Sequence, residues 1–267
     1  MIRSIRPERP LDATLLHVLR AVAEEAEIVG TDYMLVGATA RDILVHHVFE
    51  VPAGRATYDV DFAVAVASWD QFERLKAGLA SRPGFTTSDA SKQRMYYRDA
   101  AADMDYPVDL VPFGGVANAE GEIVWPPDMA VVMNVVGYEE VLAAAEYVEF
   151  SAALISRVAS LPGLAVLKLI AWSDRGPGNP KDAHDLLQLM SNYGSAGNQA
   201  RLYDIEYALL EAADHDPDLA GACLLGKDVA RLVKEETLNA LNRLIDEKHE
   251  ELARAMAGAI RHMDDAR

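Results

Sequence analysis

Three aspartates in this 267-residue chain stand where apolar strand residues would be expected. Asp59 and Asp61 lie two apart in the stretch TYDVDFAV (57–64), and Asp109 interrupts YPVDLVPF (106–113). Successive strand side chains point to opposite faces, so Asp59, Asp61 and Ala63 share one face while Val60, Phe62 and Val64 share the other. If the second stretch lies beside the first, three carboxylates converge, and like charges that close repel unless a cation neutralises them. Hard oxygen donors suit magnesium, which keeps waters and binds substrate phosphates along with one or two carboxylates. In two-metal sites, ions about 3.5–4 Å apart hold the attacking and leaving oxygens of a phosphoryl displacement. For Asp59 alone a plainer use is open: bonding turn amides after the Gly54-Arg55 loop.

Two further stretches extend this chemistry. In LVGATARDIL (35–44) a strand ends at Gly37 and a helix begins, so the first helical amides can hold a phosphate, with a hydroxyl from Thr39 and a charge from Arg41. In LPGLAVLKLIAWSDR (161–175) a lysine, Lys168, sits inside an apolar helical run, an awkward place for a core residue. Arg175 falls nearly on its face, and Asp182 and Asp185 share a face of the next helix. Their opposite signs suggest pairing across the loop RGPGNP (175–180).

The elements that must position these residues fall into two halves. Residues 11–29 carry Leu15, Val18, Leu19, Val22 and Ala26 at helical spacing, with Asp12 as N-cap. There follow a strand at DYMLVG, a helix at ATARDILVHHVF, the strand TYDVDFAV, and a helix at SWDQFERLKAGLA capped by Ser68. QRMYYRDA and YPVDLVPF add two strands, the second ending in a Pro-Phe-Gly-Gly turn at 112–115. The mixed sheet is expected to be complete by about residue 150. From Pro162 onward the pattern is almost wholly helical, including ARLYDIEYALLEAA and a long last stretch from Glu235 to Met263. The expected fold class is α+β: a mixed sheet flanked by helices over 1–155, then a helical domain over 156–267.

Composition bounds the partners. A formal net charge of −17 argues against a protein that coats nucleic acid through its overall field. Arg41, Arg55, Lys92, Arg94 and Arg98 could still line a local basic cleft. The single cysteine, Cys223, excludes an intrachain disulfide framework and fits a reducing compartment. A charged start and the lack of an apolar run of roughly 18 residues lead to a cytoplasmic expectation without a membrane span. His46-His47 lacks a second ligand pair at zinc spacing, and His184 points off the Asp182/Asp185 face. Trp125, Tyr96 and Tyr97 could stack a base, but read more simply as core or strand residues. Cys223 reads as inert packing.

Taken together, Gly37-Ala38-Thr39-Ala40-Arg41-Asp42, Asp59-Val60-Asp61 and Asp109 resemble the nucleotidyltransferase core of the polymerase beta superfamily. Within it the chain is most similar to the AbiEii-like nucleotidyltransferases, several of which act as toxins of toxin-antitoxin pairs. Lys168 in LKLIAWSDR, and Asp182 and Asp185 in NPKDAHDLL, extend the resemblance to about residue 187. The resemblance implies a polymerase-beta-like catalytic domain in which Asp59 and Asp61 hold Mg2+ and Asp109 completes the site or acts as base. It also implies that the turn Gly37, Ala38, Thr39 and Arg41 contacts the triphosphate, and that Lys168, with Asp182, serves near the nucleotide phosphates. Ala38 stands where many relatives have serine. The helical domain would complete the nucleotide site and contribute acceptor binding. The implied activity is transfer of a nucleoside monophosphate from a triphosphate to an acceptor, with release of pyrophosphate. RNA, such as a tRNA 3' end, is one acceptor by analogy, and an antitoxin protein is an implied partner. A small molecule or protein side chain as acceptor, or a silent nucleotide-binding module, are the other expectations.

Overall fold

The computed structural model describes residues 2–52, 59–100, 103–176 and 179–264, the last six as backbone. The chain divides into two compact units, Met1–Ala159 and Ser160–Arg267.

The first unit is built on a sheet whose strand order is β1-β9-β10-β2-β3-β6-β5-β4. In chain order its elements are β1 (Ile2–Ser4), α1 (Ala13–Val29), β2 (Asp32–Val36), α2 (Gly37–Asp42), a π-helical segment (Ile43–Val48) and β3 (Val60–Val66). They continue with α3 (Trp69–Ala80), β4 (Phe85–Thr87), β5 (Arg94–Asp99) and β6 (Met104–Gly114). A separate hairpin, β7 (Glu122–Val124) and β8 (Val132–Asn134), precedes α4 (Tyr138–Ala143), β9 (Glu146–Ser151) and β10 (Leu154–Val158). The sheet is mixed: β3 runs antiparallel to β2 and parallel to β6, and β6 is antiparallel to β5.

Local chemistry starts the helices where the sequence places them. Asp12 accepts a hydrogen bond from the Leu15 amide, and Ser68 accepts one from Gln71, each satisfying a donor that the helix cannot. β3 lies deep in the sheet, and Val60, Phe62, Ala63, Val64 and Val66 are buried, so both of its faces are covered. Each large apolar side chain buried this way contributes about 1.5–3 kcal/mol, which fixes the register of the strand that carries Asp61.

In this first unit four expectations need correction. β3 begins at Val60, so Asp59 precedes the strand, while Thr57, Tyr58, Gly54 and Arg55 lie outside the described residues. Pro112 and Phe113 belong to β6, and the turn comes at Gly114, whose φ of +88° favours glycine. Pairing of β6 with β5 ends at Asp109↔Arg94, so at Pro112 the strand pairs with β3 alone and a missing N–H is tolerated. The helix expected across ATARDILVHHVF changes from α to π after Asp42. The sheet also continues past residue 150, through β10.

The second unit comprises α5 (Leu161–Arg175), α6 (Lys181–Asn192), α7 (Gln199–Tyr203), α8 (Tyr207–Ala212), α9 (Pro217–Leu232) and α10 (Glu235–Asp264). Ser160 caps α5 by accepting from the Gly163 amide, and Asp216 caps α9 just before Pro217. Cys223 is exposed on α9, which corrects its reading as packing: Ala220, Leu224, Leu225 and Val229 form the buried face and Cys223 lies off it. Among the described residues no helix is long and apolar enough to cross a membrane.

α6, α7 and α9 are joined through Asp228. Tyr193 donates its hydroxyl to Asp228 at 2.6 Å, and Arg201 donates to both carboxylate oxygens at 2.8 and 2.9 Å. Burial pushes the Asp228 carboxyl up, but the hydrogen bonds from Arg201 and Tyr193 outweigh it and hold the group below the usual carboxylate range. A depressed carboxyl pKa gives stability that is present above the unfolded value of about 4 and is lost as pH falls through the folded value. Asp228→Asn is therefore expected to cost about 1 kcal/mol at pH 7 and progressively less below about pH 4 in urea unfolding titrations. A gap that is unchanged at low pH would show that the carboxylate charge is not what the network uses.

Candidate active site

The strand order builds the site within the first unit. In the β3–β6 pairing Asp61 stands opposite Asp109, and on its other side β3 places Asp61 opposite Val36, the last residue of β2. The chain leaves β2 directly into Gly37, so the opening turn of α2 lies against the Asp61 carboxylate. Gly37 has φ +71°, and a Cβ there would sit 2.8 Å from Asp61 Cγ and closer still to its Oδ2. Only a residue without a side chain lets the turn approach the carboxylate this closely.

Gly37→Ala tests that approach. A left-handed backbone costs an alanine about 1–2 kcal/mol, and the new methyl must also displace Asp61. Reduced thermal stability is expected, together with loss of any binding that uses Asp61. A variant with unchanged stability and activity would remove the close approach from the site's requirements.

Thr39 is buried, and its hydroxyl donates to the Asp59 carbonyl at 2.6 Å. It ties the turn to the residue that precedes β3, which makes it a brace for Asp59 as well as a candidate turn residue. Ala38 sits in the same turn and is half-buried. Arg41 reaches its neighbour Asp42 through Nε and Nη2 at 2.9 and 2.7 Å. Asp59 is half-buried just ahead of the strand.

Asp109 is 9% exposed and has a partner the sequence did not assign to it. Arg94, opposite it on β5, donates from Nε to Oδ1 at 2.8 Å and from Nη2 to Oδ2 at 2.6 Å. This two-pronged pair is the strong form of the arginine–carboxylate bond. The hydrogen bond and charge of Asp109 push the Arg94 guanidinium to hold its proton more tightly, against the opposing effect of burial. The signal lay in the antiparallel register: with Asp99 at the end of β5 opposite Met104 at the start of β6, Arg94 falls opposite Asp109.

Of the residues expected to form a basic cleft, Arg41 pairs with Asp42, Lys92 with Asp128, Arg94 with Asp109, and Arg98 with Asp103 and Asp105, while Arg55 lies outside the described residues. Trp125 is buried against Trp69 and Phe72, and Tyr97 packs on Phe85 and His17, as ordinary core and strand residues do. His46 and His47 each meet Arg9 through a ring nitrogen, at 2.8 Å to its Nη1 and 2.6 Å to its carbonyl respectively.

As a cation site, the carboxylates supply the hard oxygen donors that magnesium takes. Among the described residues no group of three or more histidine, cysteine, aspartate or glutamate side chains is disposed to hold a metal ion. Both Asp109 oxygens are held by Arg94.

A second cluster lies within the helical unit. Asp182, 1% exposed, accepts from Lys168 at 3.1 Å and from Arg175 at 2.9 Å, and Lys168 also reaches Asp185 at 2.6 Å. The expected pairing across the loop is present and ties the start of α6 to α5.

The family described as "Nucleotidyl transferase AbiEii toxin, Type IV TA system" matches residues 20–266. The chain belongs to this family. It is thus an AbiEii nucleotidyltransferase, and the α+β fold expected from the resemblance is the one observed. The match takes in both units, including the helices after residue 187, where the sequence showed no motif. Among solved structures, this AbiEii chain is similar to an antigenic nucleotidyltransferase-like protein from Paracoccidioides brasiliensis, at 13% identity and TM-score 0.44, over 76% of this chain and 94% of that one. The antibiotic-resistance factor ANT(2'')-Ia is similar at 12% identity and TM-score 0.39, over 77% and 99%. A CCA-adding enzyme in complex with CTP is similar at 12% identity and TM-score 0.35, over 90% of this chain and 52% of that enzyme. No curated protein matches the chain.

Proposed function

We propose that this AbiEii nucleotidyltransferase moves a nucleoside monophosphate from a nucleoside triphosphate to an RNA 3' hydroxyl, as the toxin of a toxin-antitoxin pair whose partner is an antitoxin protein. The observation that carries the nucleotidyl chemistry is the Asp61–Asp109 register beside the Gly37 turn. Asp59 and Asp61 are the proposed ligands of Mg2+, and the opening turn of α2, Gly37 to Thr39 with Arg41, is the proposed seat of the triphosphate. Bound there, the ion would offset charge on the triphosphate and on the departing pyrophosphate. The acceptor hydroxyl gives up its proton to solvent and its oxygen bonds to the α-phosphorus, the bond from that phosphorus to the oxygen bridging to the β-phosphate breaks, and pyrophosphate leaves. Thr39 keeps Asp59 in place through its carbonyl, and Gly37 leaves room for the phosphate-facing turn to meet Asp61. Positioning and charge stabilisation are the protein's contribution, as in phosphoryl transfer generally.

A small molecule or protein side chain is the second acceptor reading. A net charge of −17 and the local pairing of Lys92, Arg94 and Arg98 favour it, because an RNA backbone is drawn by unpaired lysine and arginine. One experiment separates the readings. The purified protein is incubated with Mg2+ and each α-labelled triphosphate, in the presence of total RNA, total protein or a small-molecule extract, with Asp59→Asn alongside. Label entering RNA with the unmutated protein alone supports the proposal, and label in either other pool supports the second reading. Triphosphate binding with no label in any pool identifies a silent binding module and overturns both.

A further inference from the structure

We infer that Arg94 is a positioning residue that competes with the metal for Asp109: it latches this carboxylate in the metal-free site and releases it when a divalent ion arrives. The inference rests on the nucleotidyl-transfer reading of the same site and goes beyond it in assigning a role to a residue of β5. Three charged residues lie side by side across three neighbouring strands, Asp61 on β3, Asp109 on β6 and Arg94 on β5, through the pairings Asp61↔Asp109 and Asp109↔Arg94. The register Asp61↔Asp109 puts two carboxylates on neighbouring strands, and like charges that close are unfavourable unless they are neutralised. Arg94 offsets that charge by taking both oxygens of Asp109. Its side chain is one-third exposed while that of Asp109 is 12% exposed, so the arginine has solvent to move into and the aspartate does not.

A divalent ion that draws on Asp109 must displace the guanidinium, and the two cations then bind in competition. Asp109 is thereby yielded to the metal only at an ion concentration high enough to outcompete a two-pronged pair. Lysine could not replace Arg94 in full, since it keeps the charge but loses the planar fork that engages both oxygens.

The test is Mn2+ binding to the nucleotide-free protein, followed by electron paramagnetic resonance, with thermal unfolding as a control for folding. Removing a competing positive charge from this partly exposed pair should tighten Mn2+ binding about tenfold in Arg94→Met, with Arg94→Lys between that variant and the unmutated protein. In the unmutated protein, the Arg94 Nε–H should exchange slowly with solvent and exchange faster at saturating Mg2+, a readout that does not depend on any variant folding. Mn2+ binding that is equal or weaker in a folded Arg94→Met overturns the latch, as does an Nε–H signal that Mg2+ leaves unchanged. If Asp61→Asn still abolishes Mn2+ binding in that case, the nucleotidyl-transfer reading stands. Absence of Mn2+ binding to the unmutated protein, together with absence of label transfer, overturns both.

Discussion

Asp61→Asn is expected to lower nucleotidyl transfer by about a thousandfold while leaving the thermal midpoint nearly unchanged. The metal is worth several kcal/mol of charge stabilisation in such reactions, and each 1.36 kcal/mol is a factor of ten in rate. Asparagine keeps the shape of the side chain but gives up the negative charge that a hard cation needs. Folding should change little, because asparagine keeps the size of the side chain and can still accept hydrogen bonds through its amide oxygen. The same strand is anchored by buried Val60, Phe62 and Val64, which the substitution does not touch. Rates of incorporation from α-labelled triphosphates, measured beside a thermal melt, decide the matter. Activity within tenfold of the unmutated protein would remove Asp61 from the metal site.

The second large effect belongs to the helical unit. Asp182→Ala is expected to cost about 2–3 kcal/mol in urea unfolding. Breaking a buried ion pair from one side typically costs about 3–5 kcal/mol, because the partner is left charged and unmatched. Here Lys168 keeps Asp185 at 2.6 Å, and half of the Arg175 side chain faces solvent, which reduces the loss. Asp185→Ala should cost less, since its carboxylate is more exposed than that of Asp182. Combining Asp182→Ala with Lys168→Met should cost less than the two single losses added together, since both remove the same ion pair. A full additive loss in the double variant would show that the two residues stabilise the unit independently.

What was legible in the sequence was mostly what depends on near neighbours. Asp12 and Ser68 marked helix starts because an N-cap acts over three residues, and both caps are present. The carboxylates of β3 and β6 stood out because a charge inside an apolar strand has few ordinary uses, and the pairing of Lys168 with Asp182 and Asp185 followed from helical spacing and sign. Arg94 was visible only as one more surface cation, because its partner is set by strand register across a hairpin. The π segment at Ile43–Val48 was not legible, since the run ILVHHV fits either helical period. In the second half the run ARLYDIEYALLEAA, which reads as one helix, breaks between α7 and α8 at Asp204-Ile205-Glu206, and Asp216-Pro217 is the helix-start signal of α9.

The place of β2 in the sheet has a consequence for biogenesis. Its inner edge meets β3 soon after both have been made, but its outer edge is covered only when Val158, at the end of β10, pairs opposite Leu35. Until then a nascent chain leaving the ribosome carries Met34 and Leu35, both fully buried in the finished protein, on an open strand edge. Such an edge is a template for pairing with another chain. Truncation anywhere before β10 should yield aggregating fragments, so this unit can mature only as one late event in synthesis.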